Sequence, residues 1–515
     1  MTTTTDPTSR PAPVFDVRCP ATNEIVGSYP LHGADHVATV VHAGRLAAKW
    51  WKELGYDGRR QRLDAFRGLI ARRAAQLAHV VHQEMGKPYS DAHLEIALTL
   101  GHIAWAGRNA RRVLATQRAK SHPLGANLAG QTSYEPLGVI GVIGPWNYPV
   151  FTPMGSIVYA LAAGNAVVFK PSEFTPGVGD WLVEAFAQVV PEYPVLQLIT
   201  GSGSTGAALC RSGVDKIAFT GSTATAKKVM AVCAETLTPL VAECGGKDAL
   251  LVDADADIEA AAQAAVWGAM SNAGQTCIGV ERVYVHDHVF EAFAQRVSAI
   301  VGCIRAGTDP AAKIGPITML AQQQVIEAHL EAALDDGGKI RVSGAGESNG
   351  RVVQPVVLVG VPENSRAVTE ETFGPVFTMR RVADMDEAVA LTNASRYGLG
   401  ATVFSRVAGR RIAARLRCGM VSVNTVFGFA ALPSVPFGGV GDSGFGRIHG
   451  PDGLREFCYA HSVVRQRFRS PLALLTFDRS ARADALLAKI VTLVHGRRSS
   501  MLAVQRSRES KRSNG

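Results

Sequence analysis

The stretch Gly138-Val-Ile-Gly-Val-Ile-Gly-Pro-Trp-Asn-Tyr-Pro149 joins an uninterrupted apolar run to a short polar motif. Such a run, bounded by glycines, is typical of a strand that is buried on both faces of a parallel sheet. The polar residues that follow it fall at the carboxyl end of the strand, which is where open α/β sheets bind their ligands. The stretch therefore predicts an α/β fold with a binding site at the end of this strand.

Further apolar runs follow, and the gaps between them leave room for helices. We predict strands at residues 166–170, 195–199, 216–219 and 240–243, and a second series at 249–252, 282–285, 377–382, 401–404 and 420–424. Strands that alternate with helical stretches in this way predict doubly wound parallel sheets. The chain should thus contain two α/β units with a cleft between them.

The residues before Gly138 follow other patterns. Residues 14–26 alternate in polarity around a Pro-Ala-Thr-Asn turn, which predicts a strand hairpin. From Ala34 to about Leu114 the apolar residues recur at helical spacing, and Gly86-Lys87-Pro88 divides this region into two helical blocks.

The composition excludes several classes of protein. Hydrophobic residues make up 47% and charged residues 19% of the 515 positions, as in folded α/β chains. No apolar stretch reaches the roughly 20 residues that span a membrane, and residues 1–13 lack the apolar segment of a secretory signal. The eight cysteines form no CxxC pair, so we expect reduced thiols in the cytoplasm and no metal site.

The positive net charge is confined to one end of the chain. Residues 461–515 contain 12 Lys and Arg but only 3 Asp and Glu, which accounts for the whole net charge of +9. The remainder is neutral, and the basic end lacks interleaved aromatic residues, so we predict no nucleic-acid partner.

Polar motifs follow the predicted strands, and one of them carries a possible nucleophile. Four of these motifs are Pro145-Trp-Asn-Tyr-Pro149, Lys170-Pro-Ser-Glu173, Phe219-Thr-Gly-Ser-Thr223 and Glu243-Cys-Gly-Gly-Lys-Asp248, and a fifth is Asn272-Ala-Gly-Gln-Thr-Cys277. The stretch Gly201-Ser-Gly-Ser-Thr-Gly206 matches GxGxxG, but no acidic residue lies about 20 positions further on, so we interpret it as a glycine-rich turn.

Together with Glu371-Thr-Phe-Gly-Pro375 and Pro436-Phe-Gly-Gly439, these motifs resemble the aldehyde dehydrogenase superfamily from about Val14 to Phe468. The wording around Ser443-Gly444 and the following Ile-His-Gly is similar to the class three branch, whereas other stretches look like bacterial succinic-semialdehyde enzymes. The resemblance implies NAD(P)-dependent, hydrolytic oxidation of an aldehyde through a thioester on Cys277. It also implies that Glu243 is the base and that the Asn147 amide, with the Cys277 backbone N–H, stabilises the oxyanion.

The resemblance assigns the cofactor contacts as well. Lys170 and Glu173 would hold the adenosine ribose, and a carboxylate at Glu173 favours NAD while leaving NADP possible. The family also implies that Ser222, after Gly221, contacts the pyrophosphate and that Trp146 lines the cofactor site. Glu371 and Phe373 would lie at the nicotinamide ribose.

The family also implies a domain arrangement. Residues 14–117 and 137–245 would form a Rossmann-like NAD(P)-binding domain, and residues 246–445 the catalytic domain. Residues 118–136 and 458–470 would form a small β oligomerisation arm that builds a homodimer or a tetramer of dimers. Residues 471–515 would form a basic tail.

The substrate is less constrained by sequence. Ser271 stands where succinate-type enzymes carry an arginine, and Gly155 stands where many members carry a tryptophan, with a modest Thr152 nearby. These residues predict a wide, weakly charged tunnel for medium-chain, long-chain or aromatic aldehydes. A succinic-semialdehyde dehydrogenase and a catalytically idle binding member remain the alternatives. Three further positions depart from the family pattern: Ala226 replaces a glycine, Gly441 replaces a lysine, and Ile448 replaces a glutamate of a proton exit route.

The basic end contains one helical pattern. Apolar residues recur at helical spacing between Ala485 and Val494, beside Arg482 and Lys489, and residues 471–477 are apolar. This combination suggests peripheral contact with an anionic membrane. The alternative is a helix that docks on the protein itself, followed by a frayed end that contains Arg497, Arg498, Arg506 and Arg508.

Overall fold

The computed structural model of the chain describes residues 13–121, 125–469 and 476–496. Within these residues the chain forms two compact units, one of residues 13–115 and 134–460 and one of residues 116–133 and 461–496. The predictions for residues 1–12, for residues 471–475 and for the arginines beyond Gly496 lie outside the described residues. Among the described residues, none of the helices has the length and apolar composition that crossing a membrane requires.

The chain begins with the hairpin that the sequence predicts, followed by helices. These elements are β1 (Val14–Arg18), β2 (Ile25–Pro30), α1 (Ala34–Glu53), α2 (Gly55–Arg72), α3 (Ala74–Met85) and α4 (Tyr89–Leu114). The break at Gly86-Lys87-Pro88 is confirmed, since Gly86 ends α3 in the left-handed conformation. The expectation of two helical blocks is wrong, because α1, α2 and α3 are separated by single residues, Leu54 and Arg73. Such short breaks preserve the helical spacing of apolar residues, so periodicity does not reveal them.

The first sheet is doubly wound. Strands β3 (Gln117–Ala119) and β4 (Leu128–Pro136) precede it, and its elements are β5 (Val139–Ile143), α5 (Phe151–Ala163), β6 (Ala166–Lys170), α6 (Pro176–Val189), β7 (Leu196–Leu198), α7 (Gly203–Arg211), β8 (Lys216–Gly221), α8 (Thr223–Ala234) and β9 (Leu240–Cys244). The parallel strands are ordered β9-β8-β5-β6-β7, so the chain reverses direction across the sheet at β5. A crevice therefore opens at the carboxyl ends of β5 and β8.

The second sheet has seven strands in the order β12-β13-β14-β11-β10-β15-β16, all parallel except β12. Its elements are β10 (Asp248–Val252), α9 (Ile258–Met270), β11 (Val280–His286), α10 (Phe290–Val301), α11 (Leu320–Asp335), β12 (Lys339–Ser343), β13 (Val356–Val359), α12 (Arg366–Thr369), β14 (Val376–Val382), α13 (Met385–Asn393), β15 (Gly400–Phe404), α14 (Gly409–Ala413), β16 (Met420–Val423) and α15 (Gly428–Ala431). The sequence predicted five of these strands and missed β12 and β13. The predicted α/β fold with two parallel sheets is confirmed.

The last elements of the larger unit return to the first sheet. They are β17 (Gly444–Phe445) and α16 (Gly450–Glu456). Strand β17 pairs antiparallel with β9, so that Gly444 lies opposite Glu243. A Cβ at Gly444 would overlap the carbonyl of Ala242, and its positive φ also requires glycine. A segment distant in sequence thus closes the edge strand that carries Glu243.

The smaller unit contains a three-stranded sheet and one helix. The sheet has the order β18-β4-β3, where β18 (Cys458–Gln466) also begins in the larger unit, and the helix is α17 (Ala481–His495). The Ser480 hydroxyl accepts a hydrogen bond from the Ala483 amide and caps the helix. Large apolar residues of α17, among them Leu486 and Leu493, are exposed.

Candidate active site

The carboxyl ends of β5, β6, β8 and β9 open into one cleft of about 790 Å³. This cleft is lined by all of the residues predicted to bind a cofactor, namely Trp146, Lys170, Glu173, Gly221, Ser222, Glu371 and Phe373. The rings of Trp146 and Phe373 meet edge to face at 5.6 Å, across the gap between the two sheets. Parallel strands of one sheet end at the same edge, which is why motifs far apart in sequence converge here.

The glycine-rich stretch 201–206 contributes more than a turn. Helix α7 begins at Gly203, and both Gly203 and Gly206 line the cleft. A Cβ at Gly203 would meet no atom within 4 Å, so its backbone is open to the cleft. Helix α8 begins just after Ser222, whose hydroxyl accepts from the Thr225 amide. The amino ends of two helices therefore border the cleft, and both favour anionic groups.

A lysine and a glutamate lie together at one end of the cleft. The Lys170 Nζ is 3.6 Å from the Glu173 carboxylate and donates to the Pro171 carbonyl at 2.9 Å. Burial lowers the pKa of Lys170, and the neighbouring Glu173 opposes this shift. The Glu173 carboxylate is partly exposed to the cleft, where it can accept hydrogen bonds from hydroxyl groups.

Glu371 lies at the opposite end. Its carboxylate accepts a hydrogen bond from the Gly246 amide at 3.1 Å, and a Cβ on Gly245 would overlap it. Burial raises the pKa of Glu371 to about 8, and the nearby Glu281 adds to the increase. Below it, Lys247 is paired with Glu281, which also accepts from the Phe373 amide at 2.9 Å. This buried pair, which the sequence did not indicate, fixes the loop that presents Glu371 and Phe373.

Cys277 follows an unusual turn. Asn272 and Ala273 both have positive φ, of 53° and 56°, and Gly274 follows with a φ of 70°. Three left-handed residues in succession are rare for non-glycine residues, and such conformations concentrate at functional sites. A Cβ at Gly274 would overlap the Gly374 carbonyl, so this turn packs directly against the loop that contains Phe373.

The Cys277 side chain lies where the cleft meets a second pocket of about 210 Å³. Burial, and then the charge of Glu371, raise the pKa of the Cys277 thiol above its ordinary value, and the Ile278 backbone amide opposes this shift. A thiol in this state needs a base or a positive charge nearby to become a thiolate.

Asn147 is held in place by buried polar groups. Its side-chain amide donates to the Gln275 carbonyl at 2.9 Å, which leaves a second N–H for another acceptor. The backbone carbonyl of Asn147 accepts a hydrogen bond from the Lys87 Nζ at 2.9 Å. Lys87 is paired with Glu95 at 2.6 Å, and both side chains are fully buried. Glu95 in turn accepts from the amides of Val150 and Phe151.

Lys87 and Glu95 were therefore missed by the sequence reasoning, although they position a predicted site residue. The available signal was a lysine inside the Gly-Lys-Pro helix break, where a solvated surface charge was the default interpretation.

Glu243 is the penultimate residue of β9 and lines the second pocket together with Cys277. The residue is 4% exposed, and neither carboxylate oxygen has a hydrogen-bond partner among the described residues. Burial raises the pKa of Glu243 well above 4.5, while Arg447 opposes this shift and Glu456 adds to it. A buried carboxylate with an elevated pKa and no partner is suited to accepting a proton from water.

Comparisons with known proteins identify the family of this chain. The model of the aldehyde dehydrogenase family matches residues 7–463. The chain belongs to the aldehyde dehydrogenase family.

Among its relatives, a 4,4'-diapolycopene aldehyde oxidase of Methylomonas is 34% identical over 95% of this chain and 93% of its own length. A glutarate-semialdehyde dehydrogenase of Pseudomonas putida is 32% identical over 85% of this chain and 91% of its own. A solved NAD-dependent aldehyde dehydrogenase from Sinorhizobium meliloti matches with a TM-score of 0.85 at 32% identity, covering 90% of this chain and 93% of the other. The protein is thus an aldehyde dehydrogenase in family, fold and enzyme class.

The second pocket of this aldehyde dehydrogenase is mainly apolar. Its apolar and aromatic lining comes from several separate segments of the chain and includes Leu94, Leu98, Phe151, Trp267, Val426, Phe427, Phe437 and Ile448. Ser271 and Thr152 also line it, as the sequence predicted. No lysine or arginine lines the pocket in the part of the chain that the structure describes.

The prediction that Gly155 widens this pocket is wrong. A Cβ at Gly155 would lie 2.5 Å from the His449 Nε2 and 3.3 Å from the Ile448 side chain. The volume that a large residue at position 155 would occupy is therefore filled by these two side chains, which come from a distant segment. Sequence reasoning considered position 155 alone and could not see its neighbours.

The three other departures have structural explanations. Ala226 is buried in the core with Phe219 and Cys210, so its methyl group does not enter the cleft. Ile448 is 2% exposed and contributes an apolar surface to the pocket wall instead of a carboxylate. For Gly441, which has a φ of 64°, a Cβ would overlap the Arg396 carbonyl at 2.5 Å, so a side chain there would strain the turn.

Proposed function

We propose that this enzyme oxidises apolar aldehydes to free carboxylic acids with NAD as the hydride acceptor. The observation that carries the proposal is the position of Cys277, at the junction between a polar cleft and an apolar pocket that also contains Glu243. A nucleophile at that junction can hold an aldehyde on one side while a cofactor approaches from the other.

The cleft has the chemistry that a dinucleotide requires. Two helix amino ends and Lys170 provide positive potential for a pyrophosphate, and carboxylates at Glu173 and Glu371 can accept from the two ribose rings. The open backbone at Gly203 leaves space for a bulky group. We favour NAD over NADP because the Glu173 carboxylate would repel a 2′-phosphate.

The residues of the chain would act in two stages. The Cys277 thiol first gives up its proton to water in the cleft, and the thiolate then adds to the aldehyde carbon, while the free N–H of the Asn147 amide donates to the resulting oxyanion. Bound NAD would supply the hydride acceptor for this carbon, and the carbon that has lost hydride would remain on Cys277 as a thioester. Glu243 then removes a proton from a water molecule, whose oxygen attacks the thioester carbonyl. The C–S bond breaks, the carboxylic acid leaves, and the proton held by Glu243 passes to the Cys277 sulfur.

Glu243 is the reason to propose hydrolysis instead of transfer of the acyl group to a thiol or phosphate. Its two carboxylate oxygens have no partner among the described residues and face the same pocket as the Cys277 sulfur. Enzymes that pass an acyl group to another carrier do not need a base at this position, because they do not have to activate water.

The lining of the pocket favours apolar substrates over semialdehydes of dicarboxylic acids. A distal carboxylate would find no lysine or arginine among the lining residues, and it would approach Asp91 and Glu95 as well as Glu243. Burying a carboxylate without a cation beside it is costly, whereas apolar surface gains about 25 cal/mol per Å² on leaving water. The relatives include enzymes named for an apolar aldehyde and enzymes named for semialdehydes, so the preference for apolar substrates is argued from the pocket lining alone.

A substrate panel tests the proposal. We expect kcat/KM with NAD to be higher for decanal and benzaldehyde than for succinic semialdehyde, and higher with NAD than with NADP. Ser271→Arg offers a matched variant, because it places a cation in the same pocket and should improve succinic semialdehyde selectively. A wild-type preference for the semialdehyde would contradict the apolar assignment, and no oxidation of any aldehyde would contradict the function itself.

We also propose the family's assembly and division of labour for this chain. Residues 14–117 and 137–245 would bind the cofactor and residues 246–445 would supply the nucleophile. The β18-β4-β3 sheet ends at β3, whose residues are all exposed, so this edge could pair across a dimer interface. Sedimentation as a monomer at micromolar concentration would contradict a homodimer or tetramer.

The exposed apolar face of α17 supports peripheral contact with an anionic membrane. Leu486, Val491 and Leu493 are exposed on a helix that also carries Arg482 and Lys489. Flotation of the full chain with anionic vesicles, but not of a chain that ends at Phe468, is the expected result. Equal behaviour of both would assign the helix to docking on protein.

A further inference from the structure

One polar side chain in the apolar pocket has no function in the mechanism above. His449 lines this pocket and is 0% exposed, and neither of its ring nitrogens has a hydrogen-bond partner among the described residues. A buried imidazole without partners is costly, because each polar atom has lost its hydrogen bonds to water. Something that enters the pocket is therefore expected to pair with it.

The protein keeps His449 in place despite an unfavourable backbone. The residue has φ 61° and ψ 166°, a region that is essentially restricted to glycine. Its ring packs against the rings of Phe151, Tyr159 and Phe437, with centroids 5.3–5.7 Å apart. Gly155 provides the space beside Nε2, as described above. A strained residue held by this much surrounding structure is characteristic of a functional position.

A second histidine shows what a satisfied imidazole looks like in the same place. The His102 ring lies 3.9 Å from that of His449, centroid to centroid. Its Nε2 is 3.2 Å from the Ala430 carbonyl and its Nδ1 is 3.3 Å from the Tyr159 hydroxyl. His102 thus holds the segment that forms part of the pocket wall, whereas the two ring nitrogens of the adjacent His449 are buried without a hydrogen-bond partner among the described residues.

His449 is neutral in this environment. Burial, and then the adjacent His102, lower the pKa of His449 well below 6.5. A neutral imidazole offers one N–H donor and one bare nitrogen acceptor. A hydroxyl group can use either, and a carbonyl can accept from the N–H, whereas a carboxylate would need a cation that the pocket lacks.

We propose that His449 is a specificity-determining residue that hydrogen-bonds an uncharged oxygen, a hydroxyl or carbonyl, on an otherwise apolar aldehyde. The inference rests on the proposed function, since it assumes that the aldehyde occupies the pocket lined by Cys277 and His449. It narrows the substrate class from apolar aldehydes to those that carry one neutral polar group away from the reacting carbon.

The first test uses the wild-type enzyme and pairs of aldehydes of equal size. Hydroxymethylbenzaldehydes, meta and para, are compared with the corresponding ethylbenzaldehydes. ω-Hydroxyalkanals of six to ten carbons are compared with alkanals that have the same number of heavy atoms. At least one hydroxylated member should have a kcat/KM about tenfold above that of its partner, since the apolar analogue leaves the imidazole unpaired. No preference in any pair would overturn the proposal and indicate that water satisfies the ring.

The second test uses variants. His449→Phe keeps an aromatic ring without nitrogens and should reduce the preference to within about twofold, whereas His449→Asn, which keeps an N–H donor and an acceptor, should retain part of it. Val426→Ala is the matched control, because it removes apolar surface from the same pocket and should affect both members of each pair alike.

These outcomes separate the two hypotheses. Oxidation of all aldehydes without a hydroxyl preference overturns only the role of His449. Absence of aldehyde oxidation in the folded wild-type protein overturns the proposed function. A preference that persists unchanged in His449→Phe assigns the recognition to another residue. An equal loss for every substrate, with the acylation burst retained, would instead place His449 in the release of the acid and also contradict the proposal.

Discussion

The two cavities that meet at Cys277 are built in different ways. The cleft is lined by strand ends, helix amino ends and the paired Lys170 and Glu173. The apolar pocket is lined mainly by apolar and aromatic residues, which come from distant parts of the chain, for example Leu94, Trp267 and Phe437.

This difference explains why the cofactor cleft follows from the fold, whereas the substrate pocket is specific to this enzyme. The position of the cleft follows from sheet topology, because parallel strands must end together and helices must begin there. The shape of the pocket depends on the sizes of side chains that pack against one another. His449, for example, occupies the space that a side chain at Gly155 would need. Binding of a common cofactor can therefore be preserved while the substrate changes.

The largest expected effect comes from removing the sulfur that the two cavities share. Cys277→Ser should lower turnover on the order of 10⁴-fold or more, because a serine hydroxyl without an activating base is a poor nucleophile and loss of a nucleophile has effects of this size. Steady-state NADH formation is the measurement. Cys303→Ser is the matched control, since Cys303 is exposed and should be replaceable without loss. Turnover close to wild type in Cys277→Ser would show that Cys277, at the junction of the two cavities, is not the nucleophile.

Glu243→Gln should have the next largest effect and should act only on the pocket side. We expect a burst of NADH equivalent to one thioester per active site, followed by steady-state turnover reduced by about 10²- to 10⁴-fold. Rapid-mixing absorbance at the NADH band distinguishes the two phases. A variant with normal steady-state turnover would show that another group activates the water.

The pH dependence provides a check on the same residue. A base must be deprotonated to act, and burial raises the pKa of Glu243 well above 4.5. The steady-state rate of the wild-type enzyme should therefore fall as the pH decreases through that raised pKa and level off above it. The corresponding phase should be missing from the residual steady-state rate of Glu243→Gln.

The buried Lys87–Glu95 pair supports the Asn147 loop, where the two cavities meet. Breaking this pair should have the smallest effect on the chemistry but a measurable effect on stability. Lys87→Met leaves the buried Glu95 carboxylate unpaired and should lower the free energy of unfolding by about 3–5 kcal/mol. Arg111→Met breaks a pair with Asp57 of the same 2.6 Å length on the surface and should cost no more than about 1 kcal/mol. Denaturant midpoints compare the two.

Combining Lys87→Met with Glu95→Gln sharpens this test. The double variant should recover part of the lost stability, because no unpaired charge remains, while turnover stays reduced if Asn147 depends on Lys87. Equal destabilisation by Lys87→Met and Arg111→Met would mean that the buried pair does not hold the Asn147 loop.

Much of the fold could be predicted because it depends on local patterns. Continuous apolar runs predicted the parallel strands from β5 to β9, and β6 agrees with its prediction at both ends. Strands β12 and β13 were missed, since β12 is largely exposed and lacks an uninterrupted apolar run. The helix breaks at Leu54 and Arg73 were missed because a one-residue kink does not change the spacing of buried residues.

The sequence by itself determined the α/β class, the strand ends that carry Asn147, Lys170 and Glu243, and the identity of the chemical groups. These properties follow from the order of residues along a strand and from the types of side chain. Only the tertiary structure decided that Lys87 and Glu95 support Asn147, that β17 closes the strand of Glu243, and that His449 fills the space above Gly155. Each of these is a contact between segments far apart in the chain, and contact across such distances depends on how whole elements pack, which no local pattern records.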